Sequence, residues 1–86
     1  MTIQRKRHSN EKKFPNWKNL SHGGRRYWFE VMGRHGWKAR YVKEVNSGEE
    51  TVKFYQEVYD GNGNLIETHE KFPVDKGHRK IKEAKK

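Results

Sequence analysis

The chain has no cysteine, only two prolines and no long hydrophobic run. The absence of cysteine excludes a disulfide framework, a thiolate nucleophile and a zinc site built on thiolates. Only 30% of the residues are hydrophobic, and no apolar run approaches the roughly 18 residues that a membrane-spanning helix needs. The N-terminus also lacks the apolar stretch of a signal peptide. We therefore expect one small, soluble, cytoplasmic domain that does not associate with membranes.

Positive charge is abundant, and it is concentrated at the two ends of the chain. The formal net charge is +9 at pH 7. Residues 1–26 carry a net charge of +7 and residues 73–86 carry +4, whereas residues 27–72, which hold most of the hydrophobic side chains, carry −2. This distribution indicates a folded middle region flanked by cationic segments. Such segments can bind a phosphate backbone, or they can serve only as solvated tails.

Four segments have the alternating, aromatic and β-branched character of strands: Tyr27–Met32, Trp37–Val45, Thr51–Tyr59 and Leu65–Phe72. Short turns that contain glycine separate them, and Asp60–Asn64 is the strongest turn signal because Gly and Asn tolerate positive φ. Parallel pairing would need crossovers that are too long for these turns. The sequence therefore predicts a mainly β fold, a single four-stranded antiparallel β-meander with a short C-terminal helix or tail, and α+β is the alternative.

The predicted domain organisation has three parts. Residues 1–13 have one isoleucine and no hydrophobic periodicity, which predicts a disordered basic N-terminal tail. Residues 14–76 form a single β-sheet domain, in which residues 14–24 are a covering segment and linker. Residues 77–86 form a basic C-terminal helix or tail.

Aromatic side chains alternate onto both faces of the first two predicted strands, so one face of the sheet needs a cover. The segment Phe14–Leu20, a second protomer or a bound ligand could supply it. A domain with about 60 ordered residues is marginally stable alone. A homodimer is therefore one expectation.

A five-residue loop at Asp60–Asn64 predicts that Phe54 lies opposite Glu70, on an apolar face that also holds Phe72. A carboxyl group in that position is either desolvated, with a raised pKa suited to general acid–base catalysis, or a rim residue that pairs with a lysine. His69 points to the opposite face.

His69, Glu70 and His78 are the candidate catalytic residues of an enzymatic alternative. Two histidines beside lysine and arginine could activate a 2′-hydroxyl, protonate the leaving oxygen and stabilise a phosphorane without a metal. Adjacent strand residues point apart, so His69 and Glu70 do not form a metal-ligand pair, and we expect no metal and no cofactor.

Aromatic and cationic residues are interleaved along the strands, as in sheets that stack nucleobases. The leading hypothesis is a small non-catalytic domain that binds nucleic acid, with RNA preferred over DNA. The candidate binding residues are Arg5, Lys6, Arg7, Lys12, Lys13, Arg25, Arg26, Lys38, Arg40, Tyr41, Tyr55, Arg79, Lys80 and Lys82.

Two resemblances accompany these patterns. The stretch Gly63–Ile66 followed by Glu70, Pro73 and His78 is similar to the ending of some compact toxins of toxin–antitoxin pairs, which implies a small metal-free endoribonuclease. In composition the chain resembles small basic archaeal chromatin proteins. A protein-interaction module or homodimer is the third alternative, in which a free sheet edge or an uncovered aromatic face takes the partner.

Overall fold

The computed structural model describes residues 2–75 and the backbone of residues 77–80. One α-helix precedes a six-stranded sheet, and a short 3₁₀ turn at Arg34–Gly36 joins two of the strands. The elements are α1 (Ile3–Lys13), β1 (Asn16–Asn19), β2 (Arg25–Met32), β3 (Lys38–Val45), β4 (Thr51–Tyr59), β5 (Leu65–Phe72) and β6 (Gly77–Lys80).

The strands lie side by side in chain order, and every neighbouring pair is antiparallel. This confirms the mainly β fold and the antiparallel meander. The four predicted strands correspond to β2–β5, and the sheet has two further short edge strands. β1 lies within the segment 14–24 that the sequence treats as a cover and linker.

The sequence predicts a helix or tail for residues 77–86, but residues Gly77–Lys80 form strand β6. Residues 81–86 lie outside the described part of the chain. The turn into β6 is built by Asp75, whose Oδ1 accepts a hydrogen bond of 2.9 Å from the backbone N–H of Gly77. Gly77 has a φ of 69°, a conformation that glycine adopts without a steric cost. The sequence gives too few apolar positions in this segment to reveal the strand.

Helix α1 occupies most of the region that the sequence predicts to be a disordered tail, residues 1–13. Oγ1 of Thr2 accepts a hydrogen bond of 3.1 Å from the backbone N–H of Arg5 and so caps the helix N-terminus. The buried residue of this helix is Asn10, and its contacts with the rest of the protein are polar. A prediction based on apolar periodicity therefore misses the helix.

The sheet has two unlike faces, because directly paired residues share a face and successive residues alternate. We call the side against which α1 lies the helix face, and the other side the open face. The helix face carries Tyr27, Phe29, Val31, Ala39, Tyr41, Lys43, Val45, Phe54, Gln56, Val58, Glu67, His69 and Phe72. The open face carries Lys18, Arg26, Trp28, Glu30, Lys38, Arg40, Val42, Glu44, Lys53, Tyr55, Glu57, Tyr59 and Glu70.

The hydrophobic core lies on the helix face. Phe14, Tyr27 and Val45 are buried there, and Phe29 and Phe54 pack against them. The ring centroid of Phe14 lies 5.8 Å from that of Tyr27 and 5.5 Å from that of Phe29. The predicted cover is therefore supplied by one residue of the segment 14–20, together with the helix before it.

The cover reaches only part of the helix face. At the end of the sheet away from α1, Val31 is 48% exposed and Trp37 is 43% exposed. These residues, with Ala39, Tyr41 and Val58, line an open apolar depression of about 310 Å³.

The β4–β5 hairpin has the predicted loop at residues 60–64, since Tyr59 lies opposite Leu65. A bulge then shifts the register, and Val58 lies opposite Glu67. The predicted partners of Val58 and Gln56 are therefore each one residue away from the observed ones. A bulge of this kind is set by backbone geometry and leaves no signal in an alternating pattern.

A second bulge in the same hairpin changes the position of Glu70. Phe54 lies opposite Phe72, and Glu70 lies opposite Tyr55 on the open face. The expectation that Glu70 shares an apolar face with Phe54 and Phe72 is therefore wrong.

Candidate nucleic-acid interface

Three cations of the open face, Arg26, Lys38 and Arg40, are engaged by carboxylates of the same face. Nε of Arg26 lies 2.9 Å from Oε2 of Glu44. A nitrogen of Arg40 lies 2.7 Å from Oε2 of Glu30, and Nζ of Lys38 lies 3.7 Å from the same oxygen. The hydrogen bond from Arg40 is the main reason that the pKa of Glu30 is lowered. The predicted binding residues Arg26, Lys38 and Arg40 thus each have a carboxylate partner within the sheet, and Lys38 and Arg40 share Glu30.

Tyr55, a predicted base-stacking residue, belongs to the same network. Its hydroxyl donates a hydrogen bond of 3.4 Å to Oε2 of Glu44, and Nζ of Lys53 lies 5.1 Å from its ring centroid. Burial and the neighbouring Glu44 carboxylate raise the pKa of Tyr55 to about 12. The ring is half-buried between charged side chains, so little of it is offered to a base.

Arg25 is another predicted binding residue that has a structural role. Its guanidinium lies 3.8 Å from the ring centroid of Trp17 and is buried. NH1 lies 2.7 Å from Oε2 of Glu11, and Nε donates a hydrogen bond of 3.1 Å to Oδ1 of Asn19. These contacts join α1, β1 and β2, and they leave the Arg25 side chain 8% exposed.

Arg7 is also engaged, in a buried cluster centred on Glu49. Nε of Arg7 lies 3.1 Å from Oε1 of Glu49, and Nδ2 of Asn10 donates a hydrogen bond of 3.2 Å to Oε2. The hydroxyl of Tyr27 donates to the same Oε2. The cluster holds α1 against the helix face, so Arg7 is a structural residue as well.

Helix α1 carries a second set of cations that are accessible to solvent. Arg5, Lys12 and Lys13 are exposed and Lys6 is half-exposed. Among the described side chains, no carboxylate lies within ion-pair distance of these four residues. These predicted binding residues remain available to an anion in solution.

A groove runs between the C-terminal end of α1 and strands β3–β5 on the helix face. We call it the helix-face groove; it has a volume of about 490 Å³ and is lined by Lys13, Phe14, Lys43, Thr51, Phe54 and Phe72. The register of the sheet creates it, because Lys43, Phe54 and Phe72 lie in one row across three strands. Of the six lining residues, only Lys13 was predicted from the sequence to bind.

Lys71 adds a third cation beside this groove. Its Nζ lies 5.9 Å from the ring centroid of Phe54 and 5.3 Å from that of Tyr41. Within the described part of the chain, no carboxylate is in ion-pair distance of Lys13, Lys43 or Lys71. A signal for Lys43 was present in the sequence, since it occupies an inward position between Tyr41 and Val45.

Tyr41, the other predicted stacking residue, lies on the helix face and is half-buried. Its ring stacks on Phe29, with centroids 5.1 Å apart and an interplanar angle of 23°. Nε2 of Gln56 donates a hydrogen bond of 3.3 Å to its hydroxyl. Tyr41 therefore extends the aromatic surface that begins at Phe14 and Phe29. The ammonium group of Lys71 lies over the Tyr41 ring.

The three candidate catalytic residues are divided between the two faces. His69 lies on the helix face and Glu70 on the open face, as strand alternation requires. His78 is the Cα partner of His69 in the β5–β6 pair. Nε2 of His69 lies 2.6 Å from Oδ1 of Asp75, a residue that the sequence interpretation did not select. The N–H of Gly77 and then His69 lower the pKa of Asp75.

The remaining predicted binding residues lie at the C-terminal edge. The backbone of β6 places Arg79 opposite Thr68 and Lys80 opposite Glu67. Lys82 lies outside the described residues.

Three absences complete the description of the site. Among the side chains of residues 2–75, no group of three or more histidine or acidic residues is arranged to hold a metal ion. No helix in the described part of the chain has the length and apolar character needed to cross a membrane. Comparisons with protein-family models, with curated proteins and with solved structures find no match for this chain.

Proposed function

We propose that this protein binds single-stranded nucleic acid, RNA in preference to DNA, through the helix-face groove and the solvent-accessible cations of α1, without catalysing a reaction. The observation that carries the proposal is the unequal balance of charge on the two faces. The open face pairs its two arginines and Lys38 with carboxylates, whereas among the described side chains no carboxylate lies within ion-pair distance of Lys13, Lys43 or Lys71 beside the groove.

The chemistry of the groove suits a polynucleotide. Ammonium groups neutralise phosphates and release condensed counterions, which supplies affinity that is independent of sequence. Aromatic rings add stacking with the bases, worth about 1–3 kcal/mol per base. Phe72 is 43% exposed, and Tyr41 and Phe54 are half-buried beside it, so rings and cations lie within the same surface.

The test compares two triple variants that remove the same amount of charge. One replaces Lys13, Lys43 and Lys71 with glutamine, and the matched control replaces Lys18, Lys38 and Lys53 of the open face. Binding of fluorescent decauridylate is measured by anisotropy between 50 and 200 mM salt. Loss of three phosphate contacts should make the slope of log K against log salt shallower by about 2 in the first variant.

The control variant should retain the wild-type slope. If the salt slope becomes shallower by the same amount in both variants, only total charge matters. If the slope of the first variant equals that of the wild type, the helix-face groove is excluded as the binding site. Circular dichroism and thermal melting establish that each variant is folded. A parallel titration with decathymidylate measures the preference for RNA.

A metal-free endoribonuclease is the second candidate, favoured by the pairing of His69 with His78 and by the contact between His69 and Asp75. Two histidines on paired strands could divide the roles of base and acid, and Asp75 would hold the His69 ring. This function predicts RNA cleavage in EDTA with a bell-shaped pH profile. It also predicts loss of cleavage in His69→Ala and His78→Ala. Intact RNA after prolonged incubation with the wild-type protein would eliminate it.

A further inference from the structure

The helix-face groove is lined by two amines and three aromatic rings. Nζ of Lys43 donates a hydrogen bond of 2.8 Å to Oδ1 of Asn10 and lies 6.0 Å from the ring centroid of Phe14. A lysine ammonium group has three N–H donors, so the contact with Asn10 fixes the amine and leaves two donors. Lys13, the last residue of α1, also lines the groove, and its charge acts on Lys43.

The two amines repel each other, and the nearest acid is already occupied. Burial lowers the pKa of Lys43, the positive charge of Lys13 lowers it further, and Glu49 opposes these effects. The carboxylate of Glu49 is engaged by Arg7, Asn10 and Tyr27. An anion placed between Lys13 and Lys43 would relieve this repulsion.

The groove also offers an exposed ring, two strands away from Lys43. Phe72 lies in the same row as Lys43 on the far side of β4, and 43% of its surface is open to solvent. Phe14 and Phe54 also line the groove. A volume of about 490 Å³ falls within the usual range for sites that hold small ligands.

We infer that the helix-face groove holds one nucleotide of a single strand, with its phosphate between the amines of Lys13 and Lys43 and its base against the ring of Phe72. The inference rests on the proposed function and narrows it. A base within a duplex is stacked and paired and cannot reach Phe72, so the groove selects single strands over duplexes.

The experiment uses the full chain, labelled with ¹⁵N, and follows backbone amide shifts during titration with uridine 5′-monophosphate. Saturable shifts should centre on Thr51, Phe54 and Phe72. Uridine and inorganic phosphate, titrated separately, should each bind about tenfold more weakly, because each supplies only half of the contacts.

Phe72→Ala is the informative variant and Trp37→Ala is its matched control, since both rings are 43% exposed. Phe72→Ala should weaken the binding of uridine 5′-monophosphate about tenfold, whereas Trp37→Ala should leave it unchanged. Phe72→Ala keeps all the lysines, so its salt slope with decauridylate should equal that of the wild type. A complementary duplex should bind more weakly than the single strand.

Three results would overturn the inference. The shifts could centre on the apolar depression around Trp37, uridine could bind as tightly as its monophosphate, or Phe72→Ala could bind like the wild type. If decauridylate still binds in these cases and replacement of Lys13, Lys43 and Lys71 still makes the salt slope shallower, the nucleotide site fails and the proposed function stands. If neither decauridylate nor the nucleotide binds, both fail.

Discussion

The hydroxyl of Tyr27 donates a hydrogen bond to the carboxylate of Glu49, and both side chains are buried between the sheet and α1. Glu49 lies in the turn between β3 and β4 with a φ of 66°, a left-handed conformation that is uncommon outside glycine. Its carboxylate also accepts hydrogen bonds from the side chains of Arg7 and Asn10 in the helix. One acidic side chain thus joins a strand, a turn and the N-terminal helix.

Replacing Glu49 with alanine should therefore lower the free energy of unfolding by about 3 kcal/mol, because it leaves buried donors without an acceptor. Chemical denaturation followed by tryptophan fluorescence measures the change. Glu50→Ala, at the exposed neighbouring position, is the control and should cost less than about 0.5 kcal/mol. If both variants lose a similar amount of unfolding free energy, the contacts of Glu49 do not contribute specially to stability.

The stability of the fold should depend on pH through the same carboxylate. Burial alone would raise the pKa of Glu49, but hydrogen bonds from Tyr27, Asn10 and Arg7 outweigh it, and the pKa is lowered. A folded-state pKa below the unfolded value means that the stabilisation is complete above the ordinary pKa of glutamate. It is lost as the pH falls through the lower, folded-state value.

Thermal midpoints of the wild type and of Glu49→Gln, measured from pH 7 to pH 3, test this dependence. The wild type should lose more stability than the variant on acidification, since the variant has no carboxylate at this position to protonate. Parallel curves for the two proteins would show that other groups dominate acid unfolding.

Asn10 should contribute to stability although it lies in a segment without an apolar stripe. Its amide nitrogen donates to Glu49 and its amide oxygen accepts from Lys43. Asn10→Ala should cost about 1–2 kcal/mol, since it removes two hydrogen bonds of which one partner is a buried charge. Gln4→Ala on the exposed side of α1 is the control. If Asn10→Ala has the same free energy of unfolding as the wild type, the result would support the disordered tail that the sequence predicts.

The sequence identified β2–β5 because alternation and glycine-bearing turns are local signals that tertiary contacts reinforce here. The turn at Asp60–Asn64 is an example: Oδ1 of Asp60 accepts hydrogen bonds of 2.9 Å from the backbone N–H groups of Asn62 and Asn64. The loop length could therefore be read from residue types alone.

The helix and the site could not be found in the same way. α1 is held by Arg7 and Asn10 against an acid 39 or more positions away, and such a contact leaves no periodicity. The two bulges in the β4–β5 hairpin moved Glu70 and Phe72 to positions that strict alternation does not give. Composition identified the cations, but which of them are neutralised depends on strand register, as the pairing of Arg26 with Glu44 shows.

Arg25 and Arg5, both predicted from the sequence to bind nucleic acid, should respond in opposite ways to substitution. Arg25→Gln should lower the free energy of unfolding by about 2 kcal/mol, because a buried guanidinium loses its contacts with Glu11 and Trp17. Because its charge is already balanced, Arg25→Gln should leave the salt slope with decauridylate unchanged.

Arg5→Gln should do the reverse. Its side chain is exposed on α1, so the free energy of unfolding should change by less than about 0.5 kcal/mol. The salt slope should become shallower by about 0.7, the value for one phosphate contact with a single strand. Denaturation and anisotropy measured on the same preparations give both quantities. A reduced slope in Arg25→Gln would mean that its guanidinium leaves Glu11 for phosphate, and an unchanged slope in Arg5→Gln would remove Arg5 from the interface.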